Sequence, residues 1–246
     1  MTPSTRIAVP RDKGRRPAQA LVARGIALMA RVVPARVLAK ALLTIAWLAR
    51  RHAWEQSLRW LGSEESTGVV RPHVPGFVLD AVDEGDAVID IGCGRGMISA
   101  ALAPRAGRVV AVDHDPTAVQ QTAAACAAYD NVDVVRGDAL TVMRERGPFD
   151  AAVLLHALEH LDDPVGALRD IGEHARRVVI EVPDFNADPL NAVRLRIGAP
   201  FYMDDDHVSE FTAASLRETI AAAGWDEIGV RSSGGMLLAV ADRPAV

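Results

Sequence analysis

At 246 residues, half of them hydrophobic and 24% charged, the chain is sized for one large α/β domain with an appendage, and this composition excludes a disordered or collagen-like polymer. Two cysteines, Cys93 and Cys126, with no CxxC pair and no Cys/His cluster at zinc-site spacing, exclude a disulfide framework and a structural zinc site and fit a reducing cytoplasm. The net charge of -5 hides an asymmetry: residues 1–60 carry about +10 and the remainder about -15, which argues against nucleic acid as a partner of the acidic body.

Residues 1–17 carry scattered proline, glycine and charge with no apolar period and are expected to form a flexible tail. From 18 to 61, Leu21, Ile26, Leu28 and Val32, then Val37, Leu38, Leu42, Ile45 and Leu48 recur at helical spacing, with Pro34 dividing two predicted helices. Arg24, Arg31, Arg36, Lys40, Arg50 and Arg51 interrupt the stretch, so its longest uncharged run, 41–49, is too short to cross a bilayer. No apolar core leads into a small-residue cleavage site. Two readings stay open for this basic segment: helices covering the active-site face or a partner subunit, and an amphipathic strip on an anionic membrane surface. The resulting division is a tail at 1–17, a helical extension or lid at 18–75 and the main domain at 76–246.

After a polar stretch at 63–66, residues 69–82 read as a helix or loop leading into the main domain, and from Ala87 apolar runs alternate with helical patterns as in βαβ units. Strands are predicted at 87–91, 109–112, 132–135, 151–155 and 178–182, and helices at 97–103, 116–129, 139–145, 164–174 and 213–223. A final strand pair is predicted at 227–231 and 236–241. The fold class is therefore α/β, a doubly wound, mostly parallel seven-stranded Rossmann-like sheet with an N-terminal helical extension.

The most informative segment is Val88-Ile89-Asp90-Ile91-Gly92-Cys93-Gly94-Arg95-Gly96, an apolar strand entering a turn with glycine at alternate positions just before a helix. Such a turn lets a ligand approach the main chain and offers it unpaired backbone N–H groups. Where a dinucleotide fingerprint would place its third glycine stands Met97, which weakens the NAD reading, and no phosphate-loop lysine follows. Asp113 ends the second predicted strand, where a carboxylate can accept from both ribose hydroxyls. Asp115, before Pro116, is the better helix cap. Asp138, in Gly137-Asp138-Ala139, ends the third strand within reach of an adenine amino group.

These residues resemble class I S-adenosylmethionine-dependent methyltransferases, in the small-molecule group related to ubiquinone-biosynthesis enzymes, over about 87–225. The resemblance implies that Asp90, Gly92, Gly94 and Gly96 are the DxGxGxG cofactor turn with Cys93 inside it. It also implies that Asp113, beside His114, is the ribose acid, that Asp138, with Ala139, meets the adenine, and that Leu155 lines the methionine portion. The turn at 172–177 replaces the family's LKPGG-like segment, and the Arg-rich helices are not a family signature.

Methyl transfer from a sulfonium is an in-line displacement, so a protein must align the acceptor and remove its proton. Candidates follow the fourth and fifth strands: His156, Glu159 and His160, then Asp184, then Asp204, Asp205, Asp206 and His207. His156 reads as base, substrate contact or pocket lining, His160 as structural or touching substrate, and His207 as reaching the acceptor or capping the next helix. Asp204, Asp205 and Asp206 form a solvated loop or, with Asp184, Glu159 and a histidine, hold one Mg²⁺ through oxygen. The expected acceptor is a small hydroxylated metabolite, such as a sugar or polyketide-like alcohol. A lipid or quinone at a membrane surface and a non-catalytic cofactor-binding protein are the alternatives.

Overall fold

The computed structural model describes residues 17–70, 74–200 and 206–244. The predicted tail, Pro17 apart, and the candidates Asp204 and Asp205 lie outside the described residues. Helices α1 (Pro17–Met29) and α2 (Ala35–Val70) flank the predicted break at Pro34. The second does not stop near Leu61 as the pattern suggested but runs on through Gly62 and the polar stretch. A glycine costs about 1 kcal/mol in a helix interior, too little to end a helix whose neighbours include good formers such as Glu64 and Glu65. Among the described residues no helix is long and apolar enough to cross a membrane.

Helix α3 (Val74–Ala81) leads into an alternating series: β1 (Ala87–Ile91), α4 (Met97–Leu102), β2 (Arg108–Asp113), α5 (Pro116–Ala125), β3 (Val132–Arg136), α6 (Ala139–Arg146), β4 (Phe149–Leu155), α7 (Pro164–Gly172) and β5 (Ala175–Pro183). Then come α8 (Asn191–Ile197), which the sequence reading did not anticipate, α9 (Ala213–Ala222), β6 (Asp226–Ser233) and β7 (Met236–Asp242). The turn expected at 172–177 is shorter than its polar sequence suggested, because β5 already begins at Ala175 and pairs with β4 from Phe149.

The strands form one seven-stranded sheet in the order β3-β2-β1-β4-β5-β7-β6. The first five are parallel, and β7 is antiparallel to both β5 and β6. Both faces are covered, as a parallel sheet requires. On one face Ile89, Val110, Ala152, Leu154 and Ile180 meet Met143, Leu168, Leu216 and Ile220. On the other Val88, Val109, Ala151, Val153 and Val179 meet Phe77, Val78, Ile98 and Leu102. Burial on both sides is why these strands read as unbroken apolar runs.

Strand order reverses between β1 and β4, so their carboxyl ends diverge into the crevice where ligands bind in open α/β sheets. Helix α2 meets the body at α8, where Leu38 is buried and the Lys40 ammonium approaches Gly198.

Candidate functional site

The glycine turn begins where β1 ends. Gly92, Gly94 and Gly96 have φ of 74°, 55° and 77°, a left-handed region that side chains disfavour. At Gly96 a Cβ would also stand 2.8 Å from Thr122 Cα, so α4 and α5 meet backbone to backbone there. The turn hangs from β2: Gly92 and Cys93 donate N–H to the Val112 carbonyl, and Gly94 N–H donates to Asp113 Oδ2 at 3.0 Å. The second Asp113 oxygen accepts from Asp115 N–H at 3.0 Å, while Asp115 caps α5 as the sequence suggested. Asp113 thus holds the glycine turn itself, a role apart from any ligand contact.

Asp90 lies beneath the turn, 3% exposed, and accepts a 2.6 Å hydrogen bond from Ser99 Oγ on α4. It ties β1 to the helix after the turn, and Ser99 gave no signal in the sequence. Burial pushes its carboxyl up from 3.8 to about 6, against the opposing effect of the Ser99 bond. The folded chain therefore takes up a proton over a range in which the unfolded chain stays ionised. The stability this adds is complete below the unfolded value of 3.8 and is lost as pH rises through about 6. The difference is worth about 3 kcal/mol. Asp90→Asn, which keeps an acceptor for Ser99, is expected to flatten the rise in urea midpoint on acidification across this window. An unchanged slope would count against the buried carboxylate as its source.

Cys93 is buried, accepts from Thr122 Oγ1 at 3.5 Å, and burial pushes its thiol up to about 11, so it fills space as an unreactive thiol. Asp138 caps α6, where the Thr141 N–H and hydroxyl both donate to Oδ2 and hold the carboxyl below its usual range. Ala139 opens that helix, Leu155 closes β4, and the His114 ring is 97% exposed beside Asp113.

His156 follows β4 in a left-handed conformation, φ 55°. Its Nε2 stands 2.9 Å from Glu181 Oε1 and its Nδ1 3.2 Å from Glu159 Oε1, and both glutamates are almost wholly buried. A ring nitrogen facing a carboxylate satisfies it only by carrying a proton, so an imidazole held between two carboxylates, of whose charges it can offset only one, is ill placed to accept a further proton. This geometry counts against His156 as the base. Glu181 was overlooked, although a charged residue inside the apolar strand 178–182 signals a buried partner.

The turn 157–160 starts beside the glycine turn: Ala157 Cβ lies 3.6 Å from where Gly92 would carry a Cβ. It brings Glu159 and His160 against His207, whose ring stands 4.8 Å from that of His160 and nearly perpendicular to it. The loop is fastened by Val208 and Ser209 N–H groups donating to the Glu159 carbonyl. His207 Nδ1 lies 3.3 Å from Glu210 Oε1, and Thr212, not His207, caps α9. Asp184 stands apart from this group, with one oxygen accepting from Asn186 N–H and the other from Ser232 Oγ. Among the described residues the ligand-type side chains that gather are Glu159, His160 and His207, without Asp184, whose carboxylate joins its own turn to β6.

A cavity of about 910 Å³ opens at the opposite edge of the sheet, among Asp83, Asp150, Arg176, Arg177 and Asp242. It lies at the amino ends of β1, β4 and β5 and is crossed by the Arg176–Asp150 and Arg177–Asp242 ion pairs, away from the crevice.

The family described as "Methyltransferase domain" matches residues 70–228. Protein-L-isoaspartate O-methyltransferase 2 of Anaeromyxobacter sp. (strain Fw109-5) is 32% identical over 101 residues, 39% of this chain and 42% of that protein. The chain spans about half or less of the length of the first curated relatives it matches, 38%, 42% and 53%. Among solved structures, a SAM-dependent methyltransferase from Aquifex aeolicus superposes with a TM-score of 0.53 at 16% identity, over 76% of this chain and 96% of that one. The cyclase SpnF does so with 0.57 at 17%, over 71% and 82%. At such identities the likeness shows the fold alone, and a fold does not fix a reaction.

Proposed function

Since this chain belongs to the methyltransferase-domain family and carries the class I fold of S-adenosylmethionine-dependent enzymes, we propose that it moves the methyl group of S-adenosylmethionine to a hydroxyl oxygen of a small metabolite. The observation that supports this reading is the convergence of the glycine turn, Asp113 and Asp138 at successive strand ends, one turn away from the Glu159, His160 and His207 cluster.

In this reading the cofactor's amino-acid tail lies over Gly92, Gly94 and Gly96, Asp113 accepts from the ribose hydroxyls, Asp138 from the adenine amino group, and Leu155 lines the methionine portion. A lone pair of the acceptor oxygen attacks the methyl carbon, the carbon–sulfur bond breaks, and the sulfonium leaves as a neutral thioether. The hydroxyl proton must depart, and a positioned side chain contributes roughly 10²–10⁴-fold to such a step. The His160 and His207 pair takes that role, while His156 positions the turn between them and the cofactor.

A lipid or quinone acceptor is the second reading, and one observation favours it. Leu21, Leu28 and Val32 are 72%, 64% and 80% exposed beside Arg24 and Arg31, an apolar and basic surface suited to anionic headgroups.

The test is label transfer from isotopically marked S-adenosylmethionine to a panel of sugars, phenols and polyketide-like alcohols in solution, and of quinones and lipids in anionic vesicles. Label in a soluble hydroxylated product is the expected result. Label confined to the vesicle arm selects the second reading. Cofactor binding with label in neither arm would overturn both.

A further inference from the structure

Glu159, His160 and His207 are three ligand-type side chains that each offer one nitrogen or carboxylate oxygen to a group of atoms lying within 4.8 Å of one another. Glu159 is 1% exposed, and neither of its carboxylate oxygens has a hydrogen bond of good geometry, although His156 Nδ1 stands 3.2 Å from one of them. A buried carboxylate pays heavily for lost water unless other groups replace it, and here the open side of Glu159 faces two imidazoles. The wider surroundings fit as well. His160 Nδ1 lies 3.3 Å from the Asp206 carbonyl and 3.4 Å from its carboxylate, and His207 Nδ1 lies 3.3 Å from Glu210. An acceptor on one ring nitrogen fixes the tautomer so that the lone pair sits on the other, which is how outer partners orient metal-ligating histidines.

We propose that Glu159, His160 and His207 form a binding site for one divalent transition-metal ion, beside the methyl-transfer site, that holds and polarises the acceptor oxygen. This rests on the methyltransferase reading for its purpose but not for its detection. Two imidazoles with one carboxylate suit zinc, manganese, cobalt or iron(II) better than magnesium, which prefers oxygen alone. Three protein ligands also leave a coordination position open for a substrate oxygen. With metal–ligand bonds of about 2.1 Å, tetrahedral ligand atoms stand about 3.4 Å apart, so closing the cluster takes a side-chain movement of about 1 Å. The fastening of the His207 loop to the Glu159 carbonyl keeps the ligands in place for that closure. A bound ion would lower the pKa of a coordinated hydroxyl, so that its proton would pass to solvent water before the oxygen attacks the methyl carbon, and with the ion bound His160 and His207 would serve as ligands in place of the proton-accepting role they have without it.

The test uses the full chain without a histidine tag, stripped with a chelator and titrated with Co²⁺. One ion per chain is expected, with the visible absorption of a four- or five-coordinate site, displaced by Zn²⁺ and not by equal Mg²⁺. His160→Gln and His207→Gln, the second on a loop where misfolding is a smaller risk, are each expected to weaken cobalt binding by roughly 100-fold or more, since even outer partners of a ligand are worth 10- to 100-fold. No stoichiometric uptake, uptake indifferent to both substitutions, or equal competition by Mg²⁺ would overturn the assignment. Calorimetry with S-adenosylhomocysteine on the same stripped chain keeps the two ideas apart. Heat without cobalt uptake removes the ion and leaves the methyltransferase reading, and cobalt uptake without heat does the reverse.

Discussion

Asp113→Ala is expected to lower the affinity for S-adenosylhomocysteine by about 10²–10⁴-fold. The carboxylate ends β2 and accepts from the Gly94 and Asp115 N–H groups at 3.0 Å each, so it already faces the glycine turn. Its proposed bonds to two ribose hydroxyls are charge-assisted, each worth about 1.5–3 kcal/mol. Their joint loss, at about 1.4 kcal/mol per tenfold, gives the stated range. Alanine also releases the Gly94 N–H, which loosens the turn that should receive the methionine tail. Asp113→Asn keeps one neutral acceptor and should fall between the wild type and alanine. Calorimetry, with circular dichroism to confirm folding, measures the effect. A change under about fivefold in a folded variant would remove Asp113 from the cofactor site.

His156→Ala is expected to destabilise the fold by about 3–5 kcal/mol, the usual cost of removing one partner from a buried charge cluster. The imidazole stands between Glu181 and Glu159, which are 0% and 1% exposed, and its loss leaves two buried carboxylates without the cation they share. Against a typical stability of 5–15 kcal/mol, and at about 2–4 °C per kcal/mol for a domain of this size, the melting temperature should fall by about 10 °C. His156→Asn separates two causes, because asparagine tolerates the left-handed backbone that His156 adopts at φ 55° but supplies no cation. Adding Glu159→Gln should recover part of the loss, a coupling that a double-mutant cycle measures. Melting within about 2 °C of wild type for both single variants would show that the histidine is not the counter-charge of the pair.

Much of this was legible because it is local. The strand before Gly92, the glycines at alternate positions and the start of α4 lie within a dozen residues, and the backbone needs of such a turn leave few residue types to choose from. The cap at Asp115 was readable for the same reason, since an acidic residue before Pro116 satisfies a free N–H two residues on. Other features were out of reach. The role of Ser99 depends on the side chain of Asp90 turning toward α4. The partner of Glu181 depends on the β4–β5 register, which sets Leu155 opposite it and so brings His156 alongside. Helix α8 was missed because 191–197 is short, holds two arginines among its apolar residues and has Leu190 where a capping side chain would stand, although Gly198 in the left-handed region closes its far end.

From the residues alone came the alternation of strands and helices, the glycine turn, and the acidic residues closing the second and third strands, because periodicity, backbone freedom and turn chemistry act over a few neighbouring positions. The folded arrangement decided the rest: β7 inserted antiparallel between β5 and β6, His156 enclosed by two buried glutamates, and His207 brought to Glu159 and His160 from nearly fifty residues away. Such meetings depend on strand register and on where loops close over the sheet, which are set by burial across the whole domain and leave no trace in any short stretch of chain.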